Sequence, residues 1–145
     1  MFKHLLLPTD GSPRSEAAIQ KGITFAKSIN AKVTGLHVIP AIPMVAYPAV
    51  MMEWTRQEYE AQFKAQAERY LSVVVEAARR AGVAFDFAYV TRDHPYAAII
   101  EAAKQKGCDL IVMASHGRRG PKAVLLGSET QKVLAHSQIP VLVYR

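Results

Sequence analysis

The sequence predicts an α/β fold: an open five-stranded parallel sheet with helices on both faces. Three observations carry this. Short apolar runs rich in β-branched residues alternate with longer amphipathic stretches along the whole chain. Glycine or proline stands at most of the changes between them. The run Asp109–Ala114 is almost continuously apolar, as expected of a strand covered on both faces. The resulting order, βαβαβαβαβ, is the signature of parallel strands joined by crossover helices.

Each element has a local reason. His4 to Thr9 reads as a buried strand that stops at Pro8. Ser12-Pro13 then opens a helix, because serine caps and proline is pre-set for the first turn. Ala18, Gly22, Phe25 and Ile29, three and four apart, supply its apolar stripe. Lys32 to Ile39 reads as the second strand. Residues 40–52 carry Pro40, Pro43 and Pro48, which argue against a regular helix or a central strand. A long helix is expected from about Glu53 to Ala81, with Phe63, Ala67, Tyr70, Leu71, Val74 and Ala78 as its core stripe. Gly82 ends it. Val83 to Val90 is the third strand. Pro95 starts a helix that stops at Gly107. Asp109 to Ala114 is the fourth strand, and Ser115 to Pro121 is a polar, glycine-containing loop. A last helix is expected from about Lys122 to His136, and Pro140 to Tyr144 is the fifth strand. No internal repeat or linker divides the 145 residues, so residues 1–145 are expected to form one domain.

Composition narrows the function classes. Half of the residues are apolar and 21% are charged, which excludes a disordered or collagen-like chain. The single cysteine, Cys108, excludes an intramolecular disulfide and a cysteine metal cluster, and its apolar neighbours make it a buried structural thiol. Met1–Pro8 has too short an apolar run for a signal peptide, and no segment reaches the ~18 apolar residues of a membrane span. A cytoplasmic, reducing setting is expected. The net charge of +6 invites a polyanionic partner, and its distribution tests that. Residues 1–35 carry +3, residues 36–91 carry −1, and residues 92–145 carry +4. No block of like charges marks a nucleic-acid tail, and no aromatic RNA-binding motif is present. A folded anion site built from both ends of the chain remains.

In parallel sheets of this kind, ligands bind outside the carboxyl ends of the strands, where the strand order reverses. That rule selects Pro8 to Ser12, Val38 to Pro40 and Ala114 to Ser128. Ser115-His116-Gly117-Arg118-Arg119-Gly120, followed by Gly127-Ser128, carries the strongest chemical signal. Glycines let the backbone approach a ligand, successive amides near a helix start cradle phosphate oxygens, and Arg118, Arg119 and Lys122 add positive charge. A solvated surface turn is the competing reading. In Pro8-Thr9-Asp10-Gly11-Ser12, Asp10 either caps the helix or accepts from ribose hydroxyls or an adenine amino group. His116 contacts either ligand or loop. His4, His37, His94 and His136 lack metal-ligand spacing, so no metal is expected on protein side chains.

On these residues the sequence resembles the universal stress protein family. The matching segments are Leu5-Leu6-Leu7-Pro8-Thr9-Asp10-Gly11-Ser12, Leu36-His37-Val38, Asp93-His94-Pro95, Cys108 to Gly120, and Leu125-Leu126-Gly127-Ser128 through Val143. Nucleotide-binding members carry Gly, two residues, Gly, nine residues, then Gly followed by Ser or Thr. Gly117, the nine-residue interval and Gly127-Ser128 match that pattern, whereas Ala114 stands where its first glycine is expected. If that position needs positive φ, alanine weakens binding; if it needs only a small side chain, alanine is tolerated.

The resemblance implies a Rossmann-like sheet of the adenine nucleotide alpha hydrolase type, strand order 3-2-1-4-5. It implies that Pro8, Thr9 and Asp10 hold adenine and ribose, that Val38 packs on the adenine, and that Met113 and Ala114 lie under the ribose. Gly117, Gly127, Ser128 and Thr130 would bind the triphosphate. Arg119 and Gly120 are added from charge and location alone. The expected ligand is ATP, with magnesium, or another adenine nucleotide. The expected assembly is a homodimer through the C-terminal strand 140–144, with neither nucleic acid nor membrane as partner. The expected function is a nucleotide-dependent regulatory module of the stress response, with slow or no hydrolysis. Three alternatives stand beside it. One is a family member that has lost the nucleotide and acts as a protein-interaction module. Another is a nucleotide-transfer enzyme, although Pro8-Thr9-Asp10-Gly11-Ser12 is not the Ser-Gly-Gly-x-Asp loop such enzymes use. The third is a flavodoxin-like redox carrier, whose phosphate loop is richer in Ser and Thr. The Pro/Met segment 40–52 is either a lid over the nucleotide or a cover for the core or a subunit contact.

Overall fold

The computed structural model describes residues 1–117 and 126–145. Its strands are β1 (His4–Pro8), β2 (Lys32–Pro40), β3 (Phe85–Arg92), β4 (Leu110–Ala114) and β5 (Val141–Tyr144). They pair in parallel, in the order β3-β2-β1-β4-β5. The helices are α1 (Pro13–Ser28), α2 (Tyr47–Glu53), α3 (Arg56–Ala81), α4 (Pro95–Lys106) and α5 (Ser128–His136).

Two cores flank the sheet, and the period of two along a strand decides which residue enters which. Leu5, Leu7, Val33, Leu110 and Val112 face α1 and α3, packing on Ile19, Ile23, Ala26, Val74 and Ala78. Leu6, Leu36, Ile111 and Met113 face α4 and α5, packing on Ile99, Ile100, Ala103 and Val133. Leu5, Leu6 and Leu7 are fully buried on alternate faces, each contributing about 1.5–3 kcal/mol of hydrophobic stabilisation. This is why β1 reads as an unbroken apolar run.

The chain leaves β1 toward β2 and β3, then returns to lay β4 and β5 on the other side. Strand order therefore reverses between β1 and β4, and the turns after Pro8 and Ala114 open at the same edge of the sheet.

Several boundaries differ from the sequence expectations. Residues 40–52 are not wholly irregular: α2 forms at Tyr47–Glu53, because Pro48 lies in the first turn, where its missing N–H costs nothing. The long helix begins at Arg56 rather than Glu53. Thr55 caps it, accepting from Glu58 N while the Glu58 carboxylate accepts from Thr55 N, a complete capping box. Strand β3 starts at Phe85 because Val83 N donates to Ala78 O, closing α3 behind Gly82 at φ 70°. Helix α4 closes in the same way on Gly107 at φ 71°. The stripe of α1 is centred on Ala18, Ile19, Gly22, Ile23 and Ala26, with Phe25 and Ile29 only half-buried at its edge. Helix α5 begins at Ser128; the expected start at Lys122 lies outside the described residues.

Candidate functional site

The turn after β1 is fixed by its own side chains. Thr9 N donates to Leu36 O at 2.8 Å, and Gly11 N donates to Thr9 Oγ1 at 3.1 Å. Thr9 Oγ1 also pairs with Ser15 Oγ at 3.0 Å. Asp10 Oδ1 accepts from Ser12 N at 3.0 Å, and Ser12 Oγ accepts from Ser15 N at 3.2 Å. The cap of α1 is therefore Ser12, and Asp10 is not spent on that role.

Two residues that sequence reasoning assigned elsewhere pin this turn from outside. His37 Nδ1 donates to Thr9 O at 2.8 Å, and its ring meets the edge of Tyr70 at a centroid distance of 5.0 Å. The Tyr70 ring lies against Gly11, which has φ 77°, so closely that a side chain at position 11 has no room. Burial holds the His37 imidazole below its ordinary pKa, against the opposing pull of the Thr9 carbonyl. Tyr70 sits on the α3 stripe and His37 on β2, so their sequence signal was that of ordinary core residues.

The turn after β4 meets the first one. Ala114 is the last residue of its strand and is paired with Tyr144. Asn30 is the one non-glycine residue at positive φ among those described, so Ala114 needs no glycine for its backbone. A Cβ at Gly117 would fall 2.5 Å from Asp10 Oδ2, so glycine allows the second turn to lie against the carboxylate. A Cβ at Gly127 would fall 3.3 Å from both His116 Cα and Ser115 O, and Gly127 N donates to Ser115 O at 2.6 Å. Gly127 thus seals α5 to the β4 turn. Thr130 is buried and donates to Ala114 O at 2.9 Å. Glu129 accepts from Tyr96 N at 2.8 Å, tying α5 to the start of α4.

Asp10, Gly117, Gly127 and exposed Ser128 are thereby assembled from distant parts of the chain. Pro8 and Val38 stand half-buried at the ends of β1 and β2. Met113 is buried in the core under α4 and α5, and the side chains of Thr9 and Thr130 are committed to holding the turns. Arg119 and Gly120, with Arg118 and Lys122, lie outside the described residues. At the mouth of the site the N-cap of α5 is Gly127, which has no side chain to cap the helix. His116, which the sequence left between a ligand and a loop contact, is 7% exposed; its Nδ1 pairs with Ser115 Oγ at 3.0 Å, and its Nε2 is buried with no hydrogen-bond partner among the described residues. An anionic ligand suits a helix N-terminus with no side-chain cap. No group of three or more His, Cys, Asp or Glu among the described residues is placed to hold a metal.

The universal stress protein family model matches residues 1–145. The chain belongs to the universal stress protein family. A universal stress protein of Methanocaldococcus jannaschii is 32% identical over 145 residues, covering 100% of this chain and 83% of its own. One from Thermus aquaticus is 32% identical, with 100% of both chains covered. The solved structure of the M. jannaschii protein MJ0577 superposes with a TM-score of 0.83 at 29% identity, over 99% of this chain and 95% of that one. More distant universal stress proteins share the fold and were solved as complexes, one with cAMP (TM-score 0.68, 23% identity) and one, from Archaeoglobus fulgidus, with dAMP (TM-score 0.67, 17% identity). No helix among the described residues is long and apolar enough to cross a membrane.

Proposed function

We propose that this protein binds an adenine nucleotide, ATP with magnesium, at the carboxyl ends of β1 and β4, and works as a nucleotide-dependent regulatory module of the stress response. The observation that carries this reading is the meeting of Asp10 with Gly117 beside the N-terminus of α5. A carboxylate at the end of β1 suits ribose hydroxyls or an adenine amino group, and the helix start suits phosphate. Pro8 and Val38 offer apolar surface to the base, with Ala114 below the ribose. Ser128 offers a hydroxyl to the phosphates. Thr9, Met113 and Thr130 contribute by holding the walls, with their backbone groups nearest the ligand. Magnesium would be held by the phosphates themselves. Relatives of this fold solved with cAMP and dAMP support the adenine class. In this reading no dedicated general base among the described residues faces the phosphates, so hydrolysis is slow or absent.

The test is direct. Protein purified without added nucleotide is denatured and its supernatant resolved by anion exchange; stripped protein is titrated with magnesium ATP by calorimetry. Released adenine nucleotide, or micromolar binding, is the expected result. Neither would sink the nucleotide reading and leave an interaction module.

The same reading extends to assembly: a cytoplasmic homodimer that joins through strand β5. Strand β5 is at the edge of the sheet, with Leu142 and Tyr144 42% and 36% exposed. An unpaired apolar edge is a template for a second copy.

A further inference from the structure

We infer that His116 is a phosphate-recognising residue of this site, donating from Nε2 to a phosphate oxygen of the bound nucleotide. The inference rests on the nucleotide reading above and deepens it by naming the side chain that distinguishes a phosphorylated ligand from a bare nucleoside.

The first observation is an unpaired atom. The His116 Nε2 is shut away from solvent with no hydrogen-bond partner among the described residues, in a residue 7% exposed. A buried polar atom left unmatched costs about 1–3 kcal/mol, and native structures rarely leave one so without a role or a bound water or ion to explain it. The second observation is position. His116 Cα lies 3.3 Å from where a Cβ on Gly127 would sit, and Gly127 is the N-cap of the nine-residue helix α5. No side chain caps that helix, so its open first-turn amides begin beside the His116 backbone. Positive partial charge at a helix start favours an anion over water.

Chemistry then sets the direction of the bond. Nδ1 pairs with Ser115 Oγ at 3.0 Å. When the serine hydroxyl donates to Nδ1, the neutral imidazole keeps its proton on Nε2. That N–H matches a phosphate oxygen, which only accepts. Adenosine has no such oxygen.

The experiment reads the atom itself. The ¹⁵N resonance of His116 Nε2 is followed in stripped wild-type protein as ATP, adenosine or inorganic tripolyphosphate is added, and affinities are measured for His116→Gln and His116→Ala. ATP and tripolyphosphate are expected to move the resonance, and adenosine to leave it in place. His116→Ala should weaken ATP about 10- to 100-fold, the loss of one hydrogen bond to a charged group, without changing adenosine affinity. Glutamine, whose amide still donates, should recover most of the loss. An Nε2 resonance unmoved by saturating ATP overturns the inference and leaves the nucleotide reading intact. So does equal weakening of ATP and adenosine by His116→Ala, which marks a structural role. A resonance that moves with tripolyphosphate while neither ATP nor adenosine binds keeps the phosphate contact and removes the adenine reading.

Discussion

Gly117 packs directly on the carboxylate of Asp10: a Cβ at position 117 would fall 2.5 Å from Asp10 Oδ2. Residues 107 positions apart are thus in steric register, and the two turns that form the candidate site share one boundary. Gly117→Ala should displace Asp10 and lower stability by about 1–3 kcal/mol, the usual cost of overpacking. Asp10→Ala removes the obstacle, and by itself should weaken ATP by about 1–3 kcal/mol through the lost acceptor. Chemical denaturation of both single variants and the double variant checks the contact. The double variant should be more stable than the sum of the singles predicts, and strict additivity would count against the packing.

Ala114 makes a different prediction. It is an ordinary strand residue, with its carbonyl accepting from Thr130 Oγ1 and its partner Tyr144 on β5. Ala114→Gly should therefore leave ATP affinity within about two-fold while costing about 0.5–1 kcal/mol of stability from added chain entropy. A large gain in affinity on Ala114→Gly, measured by calorimetry, would mean that the methyl group crowds the ligand.

The ends of α3 and α4 and the burial of β4 were legible because their causes are local: Gly82 and Gly107 stop helices where they stand, and β4 is apolar on both faces; the strand order 3-2-1-4-5, a non-local property, came from the family resemblance. The break between α2 and α3 was also written in the sequence, as Thr55-Arg56-Gln57-Glu58, but three nearby prolines masked it. Within the site, Asp10, Gly117 and Gly127 announced themselves by residue type and spacing. Tyr70 and His37 did not, because their parts depend on which neighbour the fold delivers, and His116 was legible only as a residue of the loop. Tyr70 has the helical spacing of a core residue, and only the approach of Gly11 makes it the wall of a turn. Thr130 shows the other side: a hydroxyl at a helix start reads as a ligand donor, and in the fold it donates to Ala114 O.

Two buried histidines make stability depend on pH. Burial, and next the Lys32 ammonium, lower the pKa of His4, whose Nε2 pairs with Thr34 Oγ1 at 2.7 Å. Burial likewise lowers His37. A folded pKa below the unfolded one means that the unfolded chain binds more protons between the two. Stability is then undiminished above the ordinary histidine pKa of ~6.5 and falls as pH drops through the folded values. Asp109 adds a loss at lower pH: burial works to raise it, but the amides of His4 and Lys3, joined by its own amide and the His4 charge, hold it below the usual carboxylate range. Urea midpoints from pH 7.5 to 5 should fall in the wild type, and less steeply in His37→Gln. An equal slope in both would remove His37 from the account.

Cys108 should be inert in the folded protein. It is buried, and burial pushes its thiol up to about 11, so little thiolate exists near neutrality. Ellman's reagent at pH 8 should react with it slowly, and within seconds in guanidinium. Immediate reaction of the native protein would show that the amino end of β4 opens readily.

The edge strand supplies the test of assembly. Leu142 and Tyr144 are both exposed on β5 and lie on one face of it, two residues apart. Deleting residues 140–145 would also remove Tyr144 O, which accepts from Ser115 N at 2.8 Å at the start of the site's turn, so truncation would confound assembly with site integrity. Two charges on the exposed face avoid this. The pair Leu142→Lys and Tyr144→Lys should convert a dimer to a monomer in analytical ultracentrifugation, because apolar contact is replaced by charges that must be desolvated against their own symmetry mates. The backbone pairing of Ala114 with Tyr144 survives both substitutions, so nucleotide affinity should change little. A wild-type monomer would remove the dimer, and a dimer that persists with both lysines would place the contact elsewhere than β5.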